Sequence, residues 1–256
     1  MFAIAIRTMR NRWTGFAGAF IATTLAVALV GAWGILLQSA IQSKAKPVRY
    51  ANAPVVIANK QTVAGSDPLV ERNRLPVTLV DRLQSVRQVR AAVPDISFPA
   101  ALKNRTVTAY DWSSTRLTKT HLRTGQRPDE GQIAVGSQYG MRVGDRVMLH
   151  TPTGDETLTV SGITAGNGVF IPDAAASKFA GAPGKADAIG VFGRPGVSAA
   201  TLARAIKKTA GPATVLTGDA RGKPEFPDMV QGGADLESLA GAIGGIAIMV
   251  AIFVVA

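Results

Sequence analysis

Two long runs without a charged residue constrain this sequence more than any other feature. The first extends over 25 residues from Trp13 to Leu37. A membrane-spanning helix needs about 20 apolar residues, whereas the apolar part of a signal peptide has roughly 7–15. The second run covers the 19 residues from Ser238 to Ala256, directly after Asp235 and Glu237. The sequence therefore predicts two transmembrane helices, with about 200 residues between them.

Arginine residues before the first run predict how the chain is oriented. Arg7, Arg10 and Arg12 precede the run, and no acidic residue lies among the first 66 positions. Because short cytoplasmic segments carry an excess of Lys and Arg, we expect a cytoplasmic amino terminus and an extracytoplasmic segment at residues 39–234. Residues 1–12 place apolar side chains at helical spacing, which is typical of a short amphipathic helix on the cytoplasmic face of the bilayer.

Each run has one alternative interpretation. Residues 13–37 would be a signal peptide if cleavage occurred at Ala51-Asn52-Ala53, but that site lies some 14 residues beyond the run, which is itself too long. Residues 238–256 would be a buried helix of a soluble domain, although 19 uncharged residues with Gly241 and Gly245 four positions apart favour a membrane helix. No polar residues follow this second helix, so we expect it to be truncated and the chain to be part of a longer protein.

Composition excludes several classes of protein. The chain has 28 Lys and Arg against 17 Asp and Glu, a net charge of +11, no cysteine and 47% hydrophobic residues. These values exclude a disordered chain, a disulfide-stapled miniprotein and a cysteine-ligated zinc or iron–sulfur site. A basic protein attracts any polyanion, but no Lys/Arg run exceeds two residues and the aromatic residues show no stacking arrangement. Nucleic acid is therefore not a predicted partner.

Residues 39–234 have the alternating strand and helix patterns of an α+β domain. Helices are predicted from Pro76 to Val89, from Asp173 to Ala180 with Asp173 as N-cap, and from Ser198 to Ala210 with Gly211 as C-cap. The strands are predicted at residues 54–58, 91–98, 106–112, 132–135, 146–150, 157–163, 168–171, 188–192 and 213–216. Two subdomains are an open alternative, 50–115 plus 185–217 and 116–184. Residues 218–233 are predicted to be a linker.

Recognised catalytic and metal-binding motifs are absent from the sequence. It has no G-x-S-x-G, no H-E-x-x-H and no EF-hand loop, and its only histidines are His121 and His150. The pairs Gly184-Lys185 and Gly222-Lys223 lack the earlier glycine and the following Ser or Thr of a phosphate-binding loop. We therefore predict no catalytic residue, no cofactor-binding residue and no metal site in this chain.

One ordered series of short motifs is more specific. It consists of Gly125-x-x-Pro128, Ile133-Ala134-Val135, Gly140-x-x-x-Gly144-Asp145-x-Val147 and Val160-x-Gly162-Ile163. By themselves these residues predict strands joined by tight turns, with Gly144-Asp145 in a hairpin-type turn. In this order, and between two predicted membrane helices, the series resembles the extracytoplasmic domain of FtsX-like permeases, which include the MacB-type and lipoprotein-releasing ABC transporter subunits.

The resemblance implies an α+β domain of the MacB periplasmic core type, flanked by two transmembrane helices, in a multi-pass subunit of the cell membrane. It implies a permease dimer in the lipid bilayer, a cytoplasmic ABC ATPase that binds the ATP and Mg, and an extracytoplasmic accessory protein. Such a subunit couples ATP hydrolysis to export or extrusion of a substrate. Two alternatives remain open: a membrane-anchored binding or sensor domain without transport, and an ectoenzyme.

Overall fold

The computed structural model describes residues 47–61 and 72–225, together with helical positions 20, 24, 27, 28 and 31–34. The chain divides into two compact units, residues 1–44 with 228–256 and residues 45–227. Within the described positions, no helix is long and apolar enough to cross a membrane. The predicted second membrane helix, most of the first, and Arg7, Arg10 and Arg12 lie outside the described residues. The unit at residues 45–227 is the α+β domain.

The described part of this unit contains thirteen strands and three α-helices. The strands are β1 (Val55–Ala58), β2 (Leu75–Pro76), β3 (Val89–Asp95), β4 (Ser97–Leu102), β5 (Arg105–Asp111), β6 (Leu122–Gly125), β7 (Gln132–Gly136), β8 (Arg146–Thr151), β9 (Gly154–Thr164), β10 (Val169–Ile171), β11 (Lys185–Ala186), β12 (Ala188–Gly193) and β13 (Thr214–Thr217). The helices are α1 (Thr78–Gln84), α2 (Asp173–Phe179) and α3 (Ala199–Ala210), with 3-10 helices at Trp112–Arg116, Ser137–Tyr139 and Gly218–Glu225.

Four strands from the two ends of the unit form one sheet, in the order β13-β1-β12-β3. All three neighbouring pairs are antiparallel. Since α1 lies between β1 and β3 in the chain, and α3 between β12 and β13, the topology is that of a ferredoxin-like split β-α-β fold. We call these four strands and two helices the ferredoxin-like layer.

Apolar side chains cover both faces of this sheet. Successive strand residues point to opposite faces, and all four residues of β1 are buried, which explains its continuous apolar sequence. One face packs against the helices through Val55, Ile57, Leu79, Leu83, Leu202 and Ile206. The other face, which includes Val56 and Val93, packs against Tyr50 and Ala53 from the segment before β1 and against Leu117 from the segment between β5 and β6.

The chain between β3 and β12 forms the second sheet, which closes on itself. The order is β6-β9-β7-β10-β5-β4-β8, and β8 also pairs with β9. The pairings therefore form a closed cycle of six strands, β8-β9-β7-β10-β5-β4, with β6 added beside β9, and we call these seven strands the barrel. In β8, Val147 and Leu149 are buried while Arg146, Met148 and His150 are exposed, as alternation in a closed sheet requires. The core residues include Phe98, Leu102, Ile133, Leu149, Val160 and Ile171.

Most predicted helices and strands are present, with shifted boundaries. The helix predicted to Val89 ends at Gln84, because Val89 already pairs with Gly193 in the first sheet. The strand predicted at 91–98 is two strands that belong to different sheets and meet at Ile96. Asp173 does not cap α2; its carboxylate accepts a hydrogen bond from the backbone N–H of Ser113 at 2.7 Å instead.

The two predicted cap residues of α3 are confirmed, and the chain passes from one sheet to the other at a different position from the predicted subdomain boundary. Ser198 caps α3 by accepting from the N–H of Thr201, and Gly211 follows the helix with a φ of 63°. The predicted linker begins with the 3-10 helix Gly218–Glu225, and its remainder lies outside the described residues. Two separable subdomains stay a prediction. Because β4 and β5 belong to the barrel, the sheets change over between Asp95 and Ser97, whereas the proposed division fell at residue 115.

Candidate functional site

The motif residues of the sequence lie together in the barrel. β7 and β9 are parallel neighbours, with Ile133 opposite Val160, Ala134 opposite Gly162 and Val135 opposite Ile163. The N–H of Gly144 donates to the carbonyl of Val160 at 2.8 Å, and the N–H of Val160 donates to the carbonyl of Asp145 at 2.9 Å. The four motifs are therefore consecutive parts of one strand and turn arrangement.

Two motif glycines allow strands to approach each other closely. Gly125 pairs with Gly162 across β6 and β9 and has a φ of +81°. A Cβ atom on Gly125 would collide with the carbonyl oxygen of Ser161, and one on Gly162 would collide with the carbonyl oxygen of Gln126. A side chain at either position would force the strands apart, so the two glycines have a packing role.

The other motif positions are turns and core residues. Gly140 and Gly144 have φ values of 62° and 96°, and a Cβ atom at either position would meet open space. Asp145 accepts a hydrogen bond from the N–H of Arg142 at 2.9 Å, which closes the turn that contains Gly144. The side chains of Pro128 and Val147 are buried. These residues position strands and turns.

A groove of about 730 Å³ lies next to the motif residues. Its walls come from the segments 127–132, 156–158 and 171–179, together with Trp112. Charged side chains of both signs line it, including Glu130, Glu156 and Lys178, over a partly apolar floor. Within the part of the chain that the structure describes, no three His, Asp or Glu side chains are placed to hold a metal ion.

The two ends of the unit are fastened to each other by side chains of the last 3-10 helix. The carboxylate of Glu225 accepts hydrogen bonds from the backbone N–H groups of Val48, at 3.0 Å, and Tyr50, at 3.1 Å. The guanidinium of Arg221 donates to the carbonyl oxygens of Tyr50, at 3.2 Å, and Ala53. We call this arrangement the terminal clamp. It joins segments that are 175 positions apart in the sequence.

The residue next to the clamp enters a buried ion pair. Arg49 Nε donates to Asp95 Oδ2 at 2.8 Å, and its Nη2 donates to the other oxygen of the same carboxylate. The hydroxyl of Tyr50 donates to Asp95 Oδ2 at 2.6 Å. The guanidinium lies 3.6 Å from the ring centroid of Tyr110, close enough for a cation–π contact. Asp95 is the last residue of β3 in the layer, and Tyr110 belongs to β5 in the barrel.

Burial and the charge of Asp95 both act on the pKa values of Arg49 and Tyr50. Burial by itself lowers the pKa of Arg49, but the charge and hydrogen bonds of Asp95 outweigh it, so the pKa is raised above its ordinary value. Burial, followed by the negative charge of Asp95, also raises the pKa of Tyr50 well above its ordinary value. Arg49 therefore stays charged and Tyr50 stays a hydrogen-bond donor across the physiological range.

Two more buried carboxylates surround the crossing from layer to barrel. Asp111 accepts hydrogen bonds from the N–H of Ile96 at 2.7 Å and from the hydroxyl of Ser113 at 2.6 Å. Burial and the nearby charge of Asp95 raise the pKa of Asp111 to about 7. Asp187 accepts from the N–H of Ser97 at 2.6 Å and from Arg74 Nε at 2.9 Å.

We call Asp95, Asp111 and Asp187, with the groups that donate to them, the polar joint. The chain passes from the layer to the barrel at residues 95–97. Each carboxylate accepts a hydrogen bond either from a backbone N–H of this passage or, for Asp95, from side chains of the segment before β1. In the described residues, no buried side-chain nitrogen or oxygen lacks a hydrogen-bond partner. A fully satisfied buried network fixes the geometry of the groups around it.

Comparison with known proteins identifies the fold. No known protein family and no curated protein sequence matches the chain. Among solved structures, the periplasmic region of MacB from Actinobacillus actinomycetemcomitans aligns over 70% of this chain and 94% of its own, with a TM-score of 0.51 and 11% identity. The domain has the MacB periplasmic fold.

Two further solved structures are also similar to this MacB-like domain. The extracellular domain of the noncanonic ABC-type transporter YknZ from Gram-positive bacteria aligns over 60% of this chain and 88% of its own, with a TM-score of 0.44 and 11% identity. A domain of a putative permease protein from Porphyromonas gingivalis aligns over 62% of this chain and 83% of its own, with a TM-score of 0.41 and 16% identity.

The sequence analysis missed the terminal clamp and the polar joint of this MacB-like domain. A usable signal was present, because Asp95 and Asp111 each stand alone among apolar residues of a predicted strand, and Asp187 stands between two alanines directly before another. An acidic residue in such a position predicts a buried carboxylate that needs donors. The identity of the donors was not accessible, since Arg49 and Arg74 lie 46 and 113 positions from their partners.

Proposed function

We propose that the chain is the membrane-spanning subunit, or part of it, of an FtsX-like or MacB-like ABC transporter. In this role residues 39–234 lie outside the membrane, and residues 13–37 and 238–256 are the helices that carry them. The observation that supports the proposal is the MacB periplasmic fold of a domain whose chain has a long uncharged run on each side. Its function is to couple ATP hydrolysis by a separate ATPase to conformational change outside the membrane, and so to export or extrude a substrate.

The terminal clamp suits a domain that is moved from its two ends. Glu225 and Arg221 bind the backbone at Val48 to Ala53, so the two connections toward the predicted helices start from one hydrogen-bonded point. A displacement of either connection then reaches both. Arg49, next in the chain, passes the displacement to Asp95 at the polar joint, and from there to the barrel.

The partners follow from this role. A cytoplasmic ABC ATPase supplies the nucleotide site, with its ATP and Mg, and two permease subunits form the membrane dimer. An extracytoplasmic accessory protein is a further partner. The chain itself acts mechanically, through the clamp and the joint, and no catalytic residue in it takes part.

Cysteine labelling tests the topology on which the proposal depends. The native chain has no cysteine, so a single introduced cysteine reports only its own position. We expect Thr153→Cys, on an exposed barrel turn, to react with a membrane-impermeant maleimide in intact cells. The matched control Asn11→Cys should react only after permeabilisation. Labelling of position 153 that also requires permeabilisation would contradict an extracytoplasmic domain.

A second measurement separates a permease from a membrane-anchored binding or sensor domain. In membranes that contain the chain and the ABC ATPase encoded nearest to its gene, we expect ATP to change the rate of protease cleavage within residues 218–233. An ATPase whose phosphate-binding lysine is replaced should abolish the change. The same cleavage rate with and without ATP would favour the anchored sensor.

A further inference from the structure

The outer surface of the ferredoxin-like layer carries an unbalanced positive charge. Residues 75–95 and 186–217 contain seven Lys and Arg and three Asp. Two of the three, Asp95 and Asp187, are buried in ion pairs with arginines from other segments. Only Asp81 remains exposed. We define the basic helical face by its exposed cations around α1 and α3: Arg82, Arg87, Arg194, Arg204, Lys207 and Lys208.

Helix geometry and two hydrogen bonds bring these cations together. Arg204, Lys207 and Lys208 stand at i, i+3 and i+4, which places them on one side of α3, opposite its buried residues Leu202 and Ile206. Arg82 Nη2 donates to the carbonyl of Thr209 at 2.8 Å, at the carboxyl end of α3. The N–H of Arg194 donates to the carbonyl of Gln88 at 2.9 Å, next to Arg87.

The helix dipole of α3 explains the positions of only some of these cations. Cations near the carboxyl end of a helix are stabilised by its dipole, and this explains Lys207, Lys208 and Arg82. Arg194, however, precedes the amino end of α3, where the dipole disfavours a positive charge. None of the six cations is in an ion pair among the described residues, and α3 contains no acidic residue. The charge of the face is therefore available to a ligand.

We propose that the basic helical face binds a linear anionic polymer that has closely spaced phosphate groups and no bases, since the aromatic residues of the sequence show no arrangement for stacking bases. Protein partners are usually held by apolar or aromatic anchors, and strong binding to a bilayer combines charge with inserted apolar side chains. Within residues 47–61 and 72–225, the exposed large hydrophobic residues are Val48, Val143 and Met148, and all lie outside this face. The face also lies on the side of the sheet opposite Tyr50 and Ala53, which the terminal clamp binds. A linear polyanion is bound through charge alone, so its binding requires neither apolar anchors nor inserted side chains.

Binding of long-chain inorganic polyphosphate to the full chain in detergent tests the proposal by fluorescence anisotropy. The test variant is Arg204→Gln/Lys207→Gln/Lys208→Gln, in which three exposed cations of α3 are neutral. The control is Arg123→Gln/Arg142→Gln/Arg146→Gln, which removes the same charge from exposed positions of the barrel. By counterion release, the α3 variant should bind roughly 10- to 100-fold more weakly at about 0.1 M salt, with a salt slope lower by about 2. The control should change the affinity less than about threefold.

The outcomes decide the proposal without reference to topology or transport. Equal losses in the α3 variant and the control would overturn it, because net charge rather than the face would then bind the polymer. Tighter binding of polyglutamate or of phosphatidylglycerol vesicles than of polyphosphate would also overturn it, in favour of an acidic protein or a lipid surface. If the α3 variant loses its fold by circular dichroism, Arg87→Gln/Arg194→Gln replaces it, since both positions lie outside the helices. That variant should weaken binding several-fold.

Discussion

The ferredoxin-like layer and the barrel differ in how far along the chain their contacts extend. In the barrel, β4 and β5 are joined by a short turn, as are β8 and β9, so that Leu102 lies opposite Arg105 and Thr151 opposite Gly154, and the other pairs join strands within the single segment 97–171. In the layer, Ala58 lies opposite both Ala188 and Thr214. The whole barrel lies in the connection between β3 and β12, so the layer closes only when its distant strands have been brought together. Closure of so long a loop is slow, and we expect the barrel to form first.

The two regions also differ in surface charge. Residues 96–185, which contain the barrel, have ten Lys and Arg against seven Asp and Glu. The layer exposes six or more cations around a single exposed carboxylate, that of Asp81. The polar joint connects these dissimilar regions, and the predictions below test whether it makes them one cooperative unit.

The largest effect is expected from breaking the joint itself. Asp95→Asn in the isolated unit of residues 45–227 should lower the free energy of unfolding by about 3–5 kcal/mol, because Arg49 remains buried without a counter-charge. The control is Asp155→Asn, which removes an exposed contact between Asp155 and His150 in the barrel and should cost about 0–1 kcal/mol. Urea unfolding measures both. Similar small losses in the two variants would mean that apolar contacts alone hold layer and barrel together.

Proton binding at Asp111 should make the joint sensitive to pH. Its pKa in the folded protein is about 7, above the ordinary value for Asp. The stabilisation is therefore complete below about pH 4 and is lost as pH rises through about 7, a change of up to about 4 kcal/mol. Urea unfolding at a series of pH values measures it. Asp111→Asn should abolish this part of the pH dependence, and parallel curves for the variant and the native chain would refute the assignment.

A cavity in the layer tests whether damage spreads to the barrel. Leu202 is fully buried between α3 and the sheet, and Leu202→Ala should cost about 3 kcal/mol. If the joint couples the regions, amide hydrogen exchange should accelerate in barrel strands such as β7 as well as in β1. The matched variant Leu149→Ala makes the cavity in the barrel. Acceleration confined to the region that contains the cavity would show that the two regions open separately.

The smallest effects are expected from the motif glycines of the barrel. Gly125→Ala should cost about 2–3 kcal/mol, since its Cβ meets the backbone of Ser161 and its φ is positive. Gly144→Ala has an equally positive φ but open space, and should cost about 1 kcal/mol. Thermal unfolding of the two variants gives the difference. Equal costs would mean that strand β6 can move away from β9 without loss.

Local signals explain which parts of the fold were predictable. The barrel strands β7 to β10 were predicted because turn residues such as Gly144 and Gly154 separate short apolar stretches. The cap residues Ser198 and Gly211 fixed the limits of α3 for the same reason. The strand β6, at Leu122–Gly125, was missed because four mostly exposed residues have no apolar alternation. The break at Ile96 was missed because Asp95 and Ser97, which lie at the ends of the two strands, were included in one predicted strand at residues 91–98.

The amino-acid sequence by itself determined the α+β class, the turns of the barrel and the order of motifs that resembles FtsX-like permeases. These depend on neighbouring residues, whose spacing is visible in the chain. Only the tertiary structure decided that two sheets meet at residue 96, that Glu225 fastens the backbone at Val48, and that Asp95 holds Arg49. It also gathered the six cations of the basic helical face, which are spread from residue 82 to residue 208. Contacts between residues so far apart are set by how the sheets pair, and no local pattern encodes that pairing.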